Sequence, residues 1–317
     1  MRLLVARPGW SLGLRRGQVE ARGPGGEKIR VPLHELDAIL VSTRGAMVSA
    51  ALLTAAAEVG IPVYLVDGRG RVSAALTPAA TYRGADKPLA QARWRLDPRL
   101  RLRAARWFPA YKLRARAWLL KLVAKTRGSW LRDYAYMLEA RAAAVEAAGS
   151  LDEILRLEAE AGRTYWPALA EALGLEGFTG RKPRGGDPWN TLLDYAYSLL
   201  TSTAHSALLV AGLNPYIGFL HVDRSGRPSL ALDYVEPYRW MAEWILYRLA
   251  GQGWRPRLEA DGRLDHESRR QVLEYWARLS ERVPGIGRPV EDVLRLDAWR
   301  LSRTLVEGGE WKPTLPR

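Results

Sequence analysis

The apolar residues of this 317-residue chain change their spacing between Thr77 and Pro88. Before this point they fall in short runs separated by glycine and proline, which is typical of β-strands. After it they recur every three to four residues over long stretches, which is typical of amphipathic helices. The spacing therefore predicts an α+β fold: a β-rich N-terminal domain over residues 1–80, a linker over 81–90, and a larger all-α domain over 91–317.

Within the first domain we expect short strands and a single helix. Ser49 is a suitable N-cap and Gly60 a suitable end, so the helix is predicted over 50–59. Asp67–Gly70 predicts a hairpin turn between the last two strands. The predicted strands lie at 2–6, 10–14, 19–22, 28–31, 38–42, 61–66 and 72–76.

The charge of the chain points to a polyanionic partner. Lysine and arginine total 48 against 34 acidic residues, which gives a formal net charge of +14, and 41 of the 48 are arginine. Nucleic acid is the commonest partner for such a protein, and an anionic membrane is the next. The chain has no cysteine, which excludes disulfides, thiol nucleophiles and cysteine-ligated zinc. It also has no long apolar run and no signal-like start, so we expect a cytoplasmic protein without a membrane span.

Most of the excess charge lies in one segment. Residues 93–132 contain thirteen basic residues and a single acid, Asp97, with aromatic residues interleaved. A pair of helices with a solvated basic face and an aromatic core face would explain the pattern. A helix with so few acids gains little from internal ion pairs, however, so we favour phosphate contact and expect Arg99, Arg103 and Arg106 to bind DNA.

Two neighbouring glutamates differ in their predicted surroundings. Ser150 opens a capping box for a helix that runs to about Leu173, and Glu158 falls inside the apolar stripe of that helix. Glu160 falls roughly opposite the stripe and is predicted to be a surface residue. A glutamate that extends from the edge of the stripe into solvent is the alternative interpretation for Glu158.

Further carboxylates occur in apolar company near residue 230. His221 ends an apolar run, and Asp233 and Glu236 lie among leucine, tyrosine and valine. Burying a carboxylate is costly unless something compensates its charge, and a cation would do so. One imidazole and several hard oxygens suit Mg²⁺ or Mn²⁺. On a basic protein such a site indicates metal-assisted phosphoryl transfer on nucleic acid. His205 lies within an apolar helix and is interpreted as a packed histidine.

Four motifs in order resemble those of the CRISPR-associated adaptation integrases, the DNA endonuclease-integrases that are the first universal Cas proteins. The first is the region from Leu40 to Gly70 in the β-rich domain. The others are Glu158-Ala-Glu-Ala-Gly-Arg-Thr-Tyr-Trp, Asp187-Pro-Trp-Asn-Thr-Leu-Leu-Asp-Tyr-Ala-Tyr, and Gly212 to Arg239. The last is the most specific match.

The resemblance implies the roles of several residues. Glu158, His221 and Glu236 would bind a divalent cation, Mg²⁺ or Mn²⁺, and Asp233 would assist them, so that all four are catalytic. The family often has aspartate at the position of Glu236, so the ligand arm is longer here. The matched motifs also contain Arg163 and Arg239, which we expect to contact DNA.

The resemblance also implies the reaction and the partners. The chain would form a homodimer through its N-terminal domain, and a dimer of the small second universal Cas protein would bridge two such dimers. It would cleave DNA and join the 3′-hydroxyl ends of captured fragments to the CRISPR repeat. Three alternatives stay open: a related transposase of a mobile element, a non-enzymatic architectural DNA-binding protein, and an anionic-membrane binder.

Overall fold

The computed structural model describes residues 2–36, 38–66, 72–76, 85–222 and 224–317. The chain divides into two compact units, Met1–Ala85 and Asp86–Arg317. Strands predominate in the first unit and helices in the second, so the predicted α+β fold class is confirmed. Among the described residues, no helix combines the length and apolar character needed to cross a membrane.

Within its described residues, the first unit contains two four-stranded sheets, one α-helix and a 3₁₀ turn at Leu33–Glu35. One sheet has the order β1-β5-β7-β8, in which only β8 runs antiparallel to its neighbour, and the other has the order β4-β3-β2-β6. The helix α1 (Ala50–Glu58) begins where predicted, because the Ser49 hydroxyl accepts a hydrogen bond from the Leu52 amide. Strand β6 was missed because it has only two residues. The predicted turn at 67–70 lies outside the described residues. The strands are β1 (Arg2–Val5), β2 (Ser11–Arg15), β3 (Gln18–Arg22), β4 (Lys28–Pro32), β5 (Ala38–Val41), β6 (Met47–Val48), β7 (Val63–Val66) and β8 (Val72–Leu76).

The predicted linker ends too late. Residues 81–84 lie outside the described part of the chain, but residues 86–90 already belong to the helix α2 (Asp86–Leu96). The prediction placed these residues in the linker because the stretch from Thr77 to Pro88 shows no apolar period, yet Pro88 lies in the first turn of α2. Proline is tolerated in the first turn of a helix, where its missing N–H has no intrahelical acceptor.

The second unit is helical throughout its described residues apart from loops and one isolated bridge. Three of its helices begin at an aspartate N-cap, whose side chain accepts hydrogen bonds from backbone amides of the first turn: Asp97 for α3, Asp187 for α6 and Asp265 for α9. Two helices were not predicted, the separate α4 and the short α7. The helices are α3 (Pro98–Arg127), α4 (Leu131–Ala147), α5 (Leu151–Leu173), α6 (Pro188–Val210), α7 (Ser229–Val235), α8 (Arg239–Ala250), α9 (His266–Glu281) and α10 (Val290–Glu307), with a 3₁₀ turn at Glu236–Tyr238 between α7 and α8.

The 30-residue helix α3 lies at the centre of this unit. It packs against α4, α5, α8 and the 3₁₀ turn. Its aromatic residues Trp107 and Phe108 are buried, as the interleaved pattern predicted. The same inward face also carries two basic residues, Lys112 and Arg116, and both are buried. The helix thus brings cations into the core, next to the elements that carry the predicted acids.

Candidate metal and active site

The loop before α7 is wrapped around one carboxylate. Oδ2 of Asp233 accepts hydrogen bonds from the Phe219 and Leu220 amides at 2.6 and 2.9 Å, and Oδ1 accepts one from the His221 amide at 2.9 Å. A Cβ at Gly218 would lie 2.8 Å from Oδ2, so only glycine permits this close approach. Asp233 is fully buried, and its donors compensate the cost of burying its charge.

Asp233 also orients the imidazole of His221. The two atoms Nδ1 and Oδ1 lie 2.6 Å apart, and because a carboxylate only accepts, Nδ1 carries the proton. Nε2 is therefore the nitrogen available to a metal ion or substrate. Burial opposes a charge on the ring, but the hydrogen bond to Asp233 and the charges of Asp233 and Glu236 outweigh it and raise the pKa of His221 above its ordinary value.

Two further acids meet at one ammonium group. Glu158 on α5 is ion-paired with Nζ of Lys112, and Oε2 of Glu236 lies 2.7 Å from the same nitrogen. The side chains of Lys112 and Glu236 are 7% and 2% exposed, while that of Glu158 is 22% exposed. The site is thus closed on the side of Glu236 and open to solvent on the side of Glu158.

Glu236 is held as a buried anion. Its Oε1 lies 2.8 Å from the Arg239 guanidinium, one helical turn along the chain. Burial would raise its pKa, but Arg239, Lys112 and His221 outweigh burial and lower the pKa below the usual value. Oε2 has a charge partner in Lys112, yet no donor among the described residues is aligned with it as a hydrogen bond. This buried oxygen retains a lone pair for a cation.

The donor set fits a hard divalent cation. Two carboxylates share one cation position, and the charge of Glu236 acts on the neighbouring imidazole of His221. Within the described residues, no three histidine or acidic side chains are already arranged as metal ligands. The ammonium of Lys112 occupies the position between the two carboxylates. The sequence did not single out Lys112, although its spacing of four residues from the buried Phe108 places it on the inward face of α3.

A buried ion pair lies next to the site and contacts the residues that position Arg239. Arg116 and Glu243 are both buried and form a bidentate pair, with Nη2 of Arg116 2.6 Å from Oε1. The hydroxyls of Tyr165 and Tyr197 donate to the same carboxylate at 2.6 and 2.7 Å. Burial raises the pKa of Glu243, but Arg116 and the two hydroxyls outweigh it and lower the pKa. Arg239 stacks on the ring of Tyr197, so this cluster also positions the guanidinium that holds Glu236.

Three arginines predicted to bind DNA are engaged within the fold. Arg103 is paired with Glu310 at 2.7 Å, and Arg106 donates to the Ala148 carbonyl at 2.7 Å. Arg239, as described above, is a partner of Glu236. The charges of these three arginines are used at least in part within the fold, and the partners of Arg103 and Arg106 lie outside the segment 93–132.

Arg99 and Arg163 are exposed and could reach a phosphate.

Glu160 differs from its prediction as well. It is 24% exposed, similar to Glu158, and is paired with Arg141 and Arg156 at 2.6 Å each. The helical period did place it on a different face from Glu158, toward α4 rather than α3.

These features define a basic two-unit protein whose helical unit gathers acids and an oriented imidazole around a cation position. A family model described as CRISPR associated protein Cas1 matches residues 3–278. A CRISPR-associated endonuclease Cas1 of Hyperthermus butylicus is 39% identical over 245 residues, which cover 75% of this chain and 73% of the relative. A CRISPR-associated endonuclease Cas1 2 of Pyrobaculum aerophilum is 33% identical over 307 residues, which cover 96% and 99%. This chain belongs to the CRISPR-associated Cas1 family.

Solved structures share the fold. A casposase bound to integration product has a TM-score of 0.77 at 20% identity, covering 99% of this chain and 92% of that one. A chain of a partial Cas6-RT-Cas1–Cas2 complex has a TM-score of 0.70 at 20% identity, covering 97% and 96%. The resemblance that the motifs gave is confirmed, and with it the prediction of an enzyme of the endonuclease class.

Proposed function

We propose that this chain is a divalent-metal-dependent DNA endonuclease and integrase of CRISPR spacer acquisition. It cleaves DNA and joins the 3′-hydroxyl ends of captured fragments to the repeat by phosphoryl transfer. One observation carries the proposal: Glu158 and Glu236 converge on a single cation position beside the carboxylate-oriented His221, in a chain of net charge +14 that belongs to this family.

Each residue of the site has a distinct task. Glu158, Glu236 and Nε2 of His221 would hold Mg²⁺ or Mn²⁺, and the bound ion would serve to activate the attacking oxygen and to neutralise charge on the phosphate. Asp233 fixes the tautomer and the direction of His221, and the loop amides hold the Asp233 carboxylate in place. Arg239 holds Glu236 in place. The exposed guanidinium groups of Arg99 and Arg163 contact the DNA backbone.

The proposed assembly follows from the same family membership. The substrate is DNA, both the captured fragment and the repeat. The chain acts as a homodimer, and a dimer of the small second universal Cas protein bridges two of these dimers. The solved neighbour from a Cas1–Cas2 complex supports this arrangement through its shared fold.

A purely architectural DNA-binding role is less well supported. Such a protein would need basic surface, which the chain has. It would gain nothing from burying Glu236 and Asp233, since burial of each carboxylate must be compensated.

The test is cleavage of an end-labelled linear duplex with Mn²⁺, with Mg²⁺ and with EDTA. We expect cleavage that EDTA abolishes, and a loss of about 100-fold in His221→Ala because a metal ligand is removed. His205→Ala is the matched control, since His205 is half-buried on α6 and packs edge-on against Tyr216. EDTA-resistant cleavage, or full activity in His221→Ala, would contradict the proposal.

A further inference from the structure

The cation position of the site is filled by a residue of the chain itself. Lys112 projects from α3 and pairs with Glu158 from α5 and with Glu236 from the 3₁₀ turn. Its side chain is almost fully buried. A buried ammonium is costly unless it is paired, and here both partners are acids that would otherwise repel each other.

The site holds three carboxylates and two cations while no metal ion is bound. Glu158, Glu236 and Asp233 contribute three negative charges, Lys112 and Arg239 contribute two positive ones, and a neutral His221 adds none. A divalent cation between Glu158 and Glu236, added with Lys112 in place, would leave an excess of one positive charge. Lys112 is the cation that competes for the same oxygen atoms, whereas Arg239 lies on the other oxygen of Glu236.

We propose that Lys112 is a resident counter-cation that holds the two ligand carboxylates together in the metal-free protein and is displaced by the divalent ion. The displaced ammonium then compensates the negative charge of the DNA phosphate, which also offsets the excess positive charge. This inference rests on the metal site of the proposed function. It makes Lys112 a positioning residue that acts through Glu158 and Glu236.

Two consequences follow for the protein without DNA. Removing the ammonium leaves Glu158 without its Lys112 partner and Glu236 with Arg239 alone, so the two carboxylates repel each other and the metal-free protein becomes less stable. The same change removes a competitor, so Mn²⁺ binds more tightly. A lysine with a merely structural role would give the first effect without the second.

The experiment measures Mn²⁺ binding by electron paramagnetic resonance and the melting temperature of the metal-free full chain. We expect Lys112→Met to tighten Mn²⁺ binding by about tenfold or more. A neighbouring charge changes the affinity of a buried carboxylate for a cation by about one pKa unit or more, and one unit is a factor of ten. Lys121→Met is the matched control, since Lys121 lies on the same helix in an exposed pair with Glu139. Its Mn²⁺ affinity should stay within about twofold of the wild type.

Lys112→Gln serves the same purpose if the methionine variant does not fold. The wild type gives a further measurement, because the chain has only seven lysines. In ¹⁵N-lysine-labelled protein, the slowly exchanging signal of one buried ammonium should disappear when Mg²⁺ is added. Unchanged or weaker Mn²⁺ binding in the folded Lys112 variants, or an ammonium signal that persists in saturating Mg²⁺, would overturn the inference.

The outcome is separable from that of the proposed function. If the wild type cleaves DNA with Mn²⁺ and the Lys112 variants bind Mn²⁺ no more tightly, only the role of Lys112 fails. If the variants bind Mn²⁺ more tightly but the wild type cuts no DNA, the role of Lys112 stands and the proposed function fails.

Discussion

Replacing Asp233 with asparagine should destabilise the helical unit strongly although the two side chains have the same shape. Each carboxylate oxygen accepts two hydrogen bonds, Oδ2 from the Phe219 and Leu220 amides and Oδ1 from the amide and ring of His221. Asparagine must turn its NH₂ group toward one of these pairs. Toward the loop, the Phe219 and Leu220 amides lose their acceptor; toward His221, the ring can change tautomer and accept, but the His221 amide loses its acceptor, and in either orientation the remaining bonds lose a charged acceptor. Hydrogen bonds to a charged group contribute about 1.5–3 kcal/mol each, so we expect a loss of about 3 kcal/mol or more after local relaxation.

Asp97→Asn is the matched control for this prediction. Asp97 also accepts from two backbone amides, those of Arg99 and Leu100, but it uses one oxygen for both and lies at an exposed N-cap. Asparagine can present its oxygen there and caps helices as well as aspartate does, so the change should be about 0.5 kcal/mol or less. The assay is urea denaturation of the metal-free protein followed by tryptophan fluorescence. A loss below about 1 kcal/mol for Asp233→Asn, or equal losses for both variants, would refute this account of the loop.

Three other predictions concern packing, burial and pH. Gly218→Ala should destabilise the protein, because a Cβ there would lie 2.7 Å from a backbone carbon. Gly162 lies in the helix α5 with open space around its Cα, so Gly162→Ala should stabilise the protein by about 0.5–1 kcal/mol. Thermal melting measures both changes. Glu243→Ala should cost about 3–5 kcal/mol by leaving a buried guanidinium unpaired, whereas the exposed Glu139→Ala should cost less than about 1 kcal/mol in urea titrations. The raised pKa of His221 means that its charged form stabilises the metal-free fold fully below about pH 6.5 and that this contribution is lost as the pH rises through the higher folded pKa. His221→Gln should therefore flatten the fall in melting temperature over that range, and an unchanged slope would contradict the assignment.

The sequence pointed to those candidate site residues that lie close together along the chain or in a matched motif. His221, Asp233 and Glu236 fall within 16 residues. The helical period placed Glu158 in the apolar stripe of its helix, and the family resemblance added its expected role as a ligand. The caps at Ser49 and Ser150 were also predicted correctly, because an N-cap is a local interaction.

The partners of these acids could not be read in the same way. Lys112 and Arg116 lie among thirteen basic residues, and composition alone does not separate the inward-facing cations from the outward-facing ones. Their spacing from Phe108 was the available signal, but burial of a cation depends on an acid that comes from a distant helix. Arg239 was expected to contact DNA because it lies in a matched motif, and its pairing with Glu236 one turn earlier was not predicted.

We expect Glu158 to be a metal ligand and Glu160, two residues away on the same helix, not to be one. The most direct measurement compares Mn²⁺-dependent cleavage and 3′-end joining by Glu158→Ala and Glu160→Ala on one labelled duplex. Glu158→Ala should lose both activities by about 100-fold or more while DNA affinity is retained, because a ligand is lost and the basic surface is kept. Glu160→Ala loses two partly exposed ion pairs, which should cost about 0.5–1 kcal/mol of stability and leave both activities intact. Loss of activity in Glu160→Ala together with an active Glu158→Ala would contradict the proposed site.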